Sequence, residues 1–115
     1  MTPILILAAG TSSRMRGGDK MRELVDGIPL LRRQTSVAVA TEHPVFVALA
    51  PDAPNHLDLI VGIEATPLVV ANAAEGISGT LRGAIPKLPQ TGAFMIMLAD
   101  LVALTTQDLL AVLNA

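Results

Sequence analysis

The stretch "LILAAGTSSRMRGGDK" (5–20) passes from aliphatic side chains to Gly10, then to Thr11, Ser12 and Ser13, then to Arg14, Arg16, a glycine pair and Lys20. Gly10 lets backbone come close to a ligand with no side chain in the way. The hydroxyls and amides that follow, with the charges of Arg14 and Lys20, are the parts of an anion cradle, and phosphate is the anion they suit best. The same residue types also make a solvated loop with its cations directed at water, and spacing alone leaves both readings open. Neither better-known phosphate motif is present. A P-loop needs Lys directly after its second Gly and then Ser or Thr, whereas Asp19 precedes Lys20 and Met21 follows it. The dinucleotide fingerprint G-x-G-x-x-G is missing, because Thr11 and Ser12 follow Gly10.

Asp100 is the second residue with chemistry to offer. It closes the apolar run "FMIMLAD", where a carboxylate is costly unless solvated, capped or paired with a cation. If that run lies beside the first one, Asp100 faces the same crevice as Lys20. A hard oxygen there suits Mg2+, which binds through one or two carboxylates plus substrate phosphates. The alternative is a turn residue bonded to nearby amides. His43 and His56 have no ligand-spaced partner and are expected at the surface. Met15, Met21, Met95 and Met97 read as packing residues. Arg32 and Arg33 are expected on the solvated face of a helix. No Ser-His-Asp spacing or G-x-S-x-G elbow occurs.

The elements that must carry these residues follow from hydrophobic pattern. "PILILAA" (3–9) reads as a strand buried on both faces. "PLLRRQTSVAVAT" (29–41) has Leu30, Leu31, Gln34, Val37, Ala38 and Thr41 at helical spacing, with Pro29 suited to the first turn. "PVFVALAP" (44–51) is a second buried strand, "HLDLIVGI" (56–63) is ambiguous between helix and strand, and "PLVVAN" (67–72) reads as a third strand. "EGISGTLRGAIPKL" (75–88) predicts a short helix with Ser78 as N-cap and Pro86 near its end. "GAFMIMLAD" (92–100) is a further strand. "TTQDLLAVLNA" (105–115) is a last helix, with Thr105 and Asp108 at capping-box spacing. Apolar strands alternating with helices predict crossover units on a parallel sheet, an α/β fold.

Composition bounds the function. The chain of 115 residues fits one domain. Its residues are 51% hydrophobic but only 2% aromatic, with a mean hydropathy of +0.57. Such an aliphatic chain is expected to have apolar surface covered by a partner subunit, as in a homodimer, or by a C-terminal continuation. A net charge of −2 and a pI near 5.5 argue against nonspecific nucleic-acid binding. Without cysteine there are no disulfides or thiolate metal sites. The opening "MTPILILAAG" lacks a basic n-region, and no apolar run approaches the ~20 residues of a membrane span. A cytoplasmic soluble protein with no membrane association is expected.

"LAAGTSSRMRGGDK" followed by "GIPLL" (27–31) resembles the signature of the MobA-like NTP transferases, which include the molybdenum cofactor cytidylyl- and guanylyltransferases. "NAAEGISGTLRGAI" (72–85) resembles that family's nucleotide-side helix motif, and "LADLVALTTQDL" (98–109) its metal-Asp motif, in the same order along the chain. The resemblance implies a Rossmann-like three-layer sandwich of the nucleotide-diphospho-sugar transferase type with a mostly parallel sheet. It implies that Leu7, Ala8, Ala9 and Gly10 run past base and ribose, that Arg14 and Lys20 hold the triphosphate as catalytic cations, and that Asp100 holds Mg2+. Gly76, Ser78 and Thr80 would lie near the nucleotide. Ala9, where the guanylyltransferases tend to carry Gly, favours CTP over GTP. Arg16 stands where the family usually has Gly, and Leu101 and Val102 stand where Met-Pro usually follows the metal Asp, which leaves the backbone after Asp100 less constrained. Family members are longer, so residues 1–115 are expected to be the nucleotide-binding domain, without the C-terminal acceptor part and inactive alone.

The implied reaction is transfer of NMP from an NTP to a phosphate-bearing acceptor such as molybdopterin, with release of pyrophosphate. Transfer to a sugar, polyol or lactate phosphate on the same scaffold is the first alternative. A noncatalytic nucleotide-binding or dimerisation module is the second, and it would hold NTP equally well with and without Mg2+.

Overall fold

Ile4 and Ile6 pack into one apolar cluster and Leu5 and Leu7 into another, and all four are buried. A strand with both faces covered is what an unbroken aliphatic run predicts. The computed structural model describes residues 2–8, 20–49, 54–70, 77–89, 92–101 and 103–114. The run is β1 (Ile4–Leu7), and it sits inside a four-stranded sheet with β4 (Val45–Leu49), β5 (Thr66–Val69) and β6 (Met95–Leu98), in the order β5-β4-β1-β6. Every pairing in it is parallel.

Among the described residues, three α-helices cover the sheet. From α1 (Leu30–Val39), the side chains Leu30, Leu31 and Ala38 join the Ile4/Ile6 cluster, as does Leu109 of α3 (Thr106–Leu113). The ambiguous segment 56–63 turns out to be a 3-10 helix, Pro54–Ile60, which adds Leu59 and Ile60 to the same cluster. On the opposite face α2 (Ile77–Ala84) supplies Ala84 to the Leu5/Leu7 cluster, with Leu81 packed against it. This is a three-layer α/β sandwich. The chain moves outward from β1 to β4 and β5, then crosses to β6 on the far side of β1, so the covering helix must change face.

Several expectations need correction. Ser78 lies inside α2, which begins at Ile77, so it is not the N-cap. His56 is buried at 1% exposure in the 3-10 segment. His43 is half-buried, its Nδ1 within 3.2 Å of the Thr2 nitrogen. A hairpin was not anticipated: β2 (Leu24–Val25) and β3 (Ile28–Pro29) pair antiparallel around Asp26 and Gly27, whose φ values are 54° and 80°. Asp-Gly is the favoured two-residue turn for two successive positive φ angles, so the signal was present. Met21 (2% exposed), Met97 and Met95 pack as expected, and Met15 lies outside the described residues. Thr105 and Asp108 form the capping box at 3.0 and 3.1 Å.

Candidate functional site

Parallel pairing aligns the carboxyl ends of β1 and β6. Leu7 stands opposite Leu98, and the ladder extends one bond further, from the Ala99 N–H to the Leu7 carbonyl at 3.3 Å. Asp100 is the next residue. It sits exposed in a turn closed by the Leu101 N–H donating to the Leu98 carbonyl at 3.2 Å. On the other side of β1, the Ala8 N–H donates to the Ala48 carbonyl at 3.1 Å, so Leu7 and Ala8 are buried between neighbours. Strand order reverses direction between β1 and β6, and in open α/β sheets ligands bind outside the strand ends at that point.

Lys20 opens a 3-10 turn, Lys20–Arg22, which Met21 anchors in the core against α1. The chain then enters the hairpin, and the Leu30 N–H donates to the Glu23 carbonyl at 2.8 Å. That bond satisfies an otherwise orphaned amide at the start of α1, where Pro29 provides no side-chain cap. The return from the cationic loop is thereby fixed to the core. Ala9, Gly10, Arg14 and Gly76 lie outside the described residues, as does the side chain of Lys20. Ser78, exposed on α2, enters from the carboxyl end of β5, which β4 separates from β1, while Thr80 is fully buried. The fold therefore brings Leu7, Ala8 and Asp100 together at the carboxyl ends of β1 and β6.

The backbone after Asp100 is more constrained than Leu101 and Val102 suggest. The Leu101 carbonyl accepts from Gln34 Nε2 at 2.8 Å and from the Leu104 N–H at 3.2 Å. Gln34 is a residue the sequence reading did not connect to the site, although an amide on an apolar helix stripe was the available signal. The arginines beside it are also not simply solvated. Arg32 Nη1 donates to the carbonyls of Leu59 (3.2 Å) and Val61 (2.8 Å), and Arg33 Nη1 donates to Gln34 Oε1 at 2.6 Å. A concavity of about 500 Å³ lined by Ile28, Arg33, Ser36 and Thr106, among others, lies against α1 and includes no residue expected to hold nucleotide.

Among the described residues no group of three His, Cys, Asp or Glu side chains could enclose a metal ion. A single exposed carboxylate still fits Mg2+ or Mn2+ chemistry, since such ions complete their shell with water and substrate phosphate oxygens. No helix among the described residues is long and apolar enough to cross a membrane.

The fold matches solved structures closely. Rv0371c from Mycobacterium tuberculosis H37Rv superposes with a TM-score of 0.81 at 19% identity, over 99% of this chain and 60% of that one. The complex of Rv0371c with manganese gives 0.69 at 16% identity, over 98% and 57%. A CMP:2-keto-3-deoxy-manno-octonic acid synthetase complexed with CTP gives 0.78 at 19% identity, over 99% and 46%. The chain thus spans about half of these proteins' lengths. No curated protein sequence matches it significantly. The MobA-like NTP transferase domain matches residues 4–115, in keeping with the signatures at 5–20, 27–31, 72–85 and 98–109, and the chain belongs to that nucleotidyltransferase family.

Proposed function

We propose that this chain is the nucleotide-binding domain of an enzyme that transfers NMP from an NTP, with CTP favoured over GTP, to a phosphate-bearing acceptor such as molybdopterin. The observation that carries this reading is the parallel pairing of β1 with β6, with Asp100 one residue beyond the last ladder bond. The manganese complex of Rv0371c and the CTP complex of the synthetase support the metal and the nucleotide.

An acceptor phosphate oxygen forms a bond to the α-phosphorus in line with the departing oxygen. The bond between the α-phosphorus and its bridging oxygen breaks, and pyrophosphate leaves with the electron pair. Such transfer depends on positioning and charge neutralisation more than on covalent help. Leu7, Ala8, Ala9 and Gly10 carry base and ribose past the sheet edge, with Gly76, Ser78 and Thr80 on the α2 side. Arg14 and Lys20 stabilise charge on the triphosphate and the leaving group. Asp100 would hold Mg2+, which neutralises phosphate charge when bound. An acceptor phosphate is already ionised and needs no general base.

The test is nucleotide affinity and pyrophosphate release in the full-length protein. Lys20→Ala is expected to weaken CTP binding and slow release by about a hundredfold or more, the scale for losing one charge-stabilising donor. Asp100→Asn is expected to remove the dependence of CTP binding on divalent cation. CTP held equally well with and without the cation by the unaltered protein would favour the noncatalytic module instead.

A further inference from the structure

Gln34 is buried on α1 among aliphatic side chains and Thr35, whose hydroxyl donates within the helix to the Leu31 carbonyl at 2.7 Å. Leu30, Leu31 and Ala38 share its face of α1, and like Leu31 and Ala38 it is 0% exposed. A buried amide is unfavourable unless both ends are satisfied, and leucine would fill the position without that demand. Both ends of Gln34 are used. Arg33 Nη1, a donor only, reaches Oε1 at 2.6 Å, which leaves Nε2 to donate to the Leu101 carbonyl at 2.8 Å. The charged partner thus fixes which way the amide faces.

Leu101 is the residue after Asp100, and both its peptide groups are committed. Its N–H closes the turn onto Leu98, and its carbonyl takes the Gln34 amide. We propose that Gln34 is a positioning residue that holds the backbone carrying Asp100, so that the carboxylate is presented at the β1–β6 strand ends in one direction. The role rests on the reading of Asp100 as the metal carboxylate. Mg2+ demands near-ideal octahedral geometry, so the carboxylate offered to it must be well directed. A second tie along α1, Thr106 Oγ1 donating to the Val37 carbonyl at 2.9 Å, secures α3 without touching the Asp100 turn and serves as a control.

The experiment measures Mn2+ affinity in the presence of CTP, by the electron paramagnetic resonance of free Mn2+, together with the thermal midpoint, in the full-length protein. Gln34→Glu keeps an acceptor for Arg33 and loses the donor to Leu101. Gln34→Met keeps the volume and flexibility of the side chain and loses both bonds, which guards against a Glu variant that fails to fold. Both are expected to weaken Mn2+ binding about tenfold, the lower range for loss of an outer-shell partner. Thr106→Val is expected to lower the thermal midpoint with Mn2+ affinity unchanged. Wild-type Mn2+ affinity in the Gln34 variants, or an equal loss in Thr106→Val, overturns the positioning role. Asp100→Asn separates the two levels. If it abolishes Mn2+ binding while the Gln34 variants do not, only the positioning role falls; if it changes nothing, the metal reading fails at its own residue and takes this role with it.

Discussion

On the proposed reading, base selection would turn on Ala9, one methyl larger than the glycine that the related guanylyltransferases tend to carry. A methyl there would take up space beside the base and favour the smaller pyrimidine. CTP is therefore expected to raise the thermal midpoint more than GTP at equal concentration with Mg2+ present. A ligand at a hundred times its dissociation constant stabilises by ~2.7 kcal/mol, which thermal shift reads easily. A larger shift with GTP would remove the cytidylyl preference and leave family membership intact. At this scale the sequence made legible the carboxylate that ends an apolar run, whereas Arg14 and Arg16 lie outside the described residues. It did not reveal Gln34, because the partner of its amide lies 67 positions away and only the packing of α1 brings them together. For the same reason Arg32 read as a solvated cation, when its guanidinium in fact caps carbonyls at the end of the Pro54–Ile60 helix.

Among the elements, those with local determinants were legible and those set by packing were not. The Thr105–Asp108 box and the aliphatic runs need only neighbours in sequence. The 3-10 segment at 54–60 and the Ser78 position depend on how the chain meets the sheet. Gly83 on α2 shows the difference most sharply. A glycine in a helix normally costs about 1 kcal/mol relative to alanine, so Gly83→Ala should stabilise by propensity alone. Here an added Cβ would collide with the side chain of Val70, which is 1% exposed and stiff because it is β-branched. The close approach of α2 to the sheet is expected to win, with Gly83→Ala destabilising by about 1–3 kcal/mol as for other overpacked cores. Urea unfolding midpoints decide it, and a stabilised variant would show that α2 yields at that contact.

For the molecule as a whole, the aliphatic composition finds its counterpart on β6. That strand pairs only with β1 among the described residues, and Ile96 is 43% exposed on it, with Phe94 just before it at 37%. An apolar edge strand is a template for pairing with another chain. The 115-residue chain is expected to self-associate with rising concentration, and Ile96→Lys to suppress this with little change in the thermal midpoint, as sedimentation velocity would show. An unaltered association would move the sticky surface elsewhere.

The position of β1 has a consequence for synthesis on the ribosome. Ile4–Leu7 is made before both of its neighbours, and one of them, Met95–Leu98, only after β4, β5 and α2. Pairing of such distant segments is slow, because a long loop must close before any contact rewards it. One flank of a fully aliphatic strand therefore waits, unpaired, until Met95–Leu98 has been made. Asp100, the carboxylate proposed to hold Mg2+, reaches the end of β1 in that same step, so a nucleotide arriving before the sheet closes would meet only part of the proposed site.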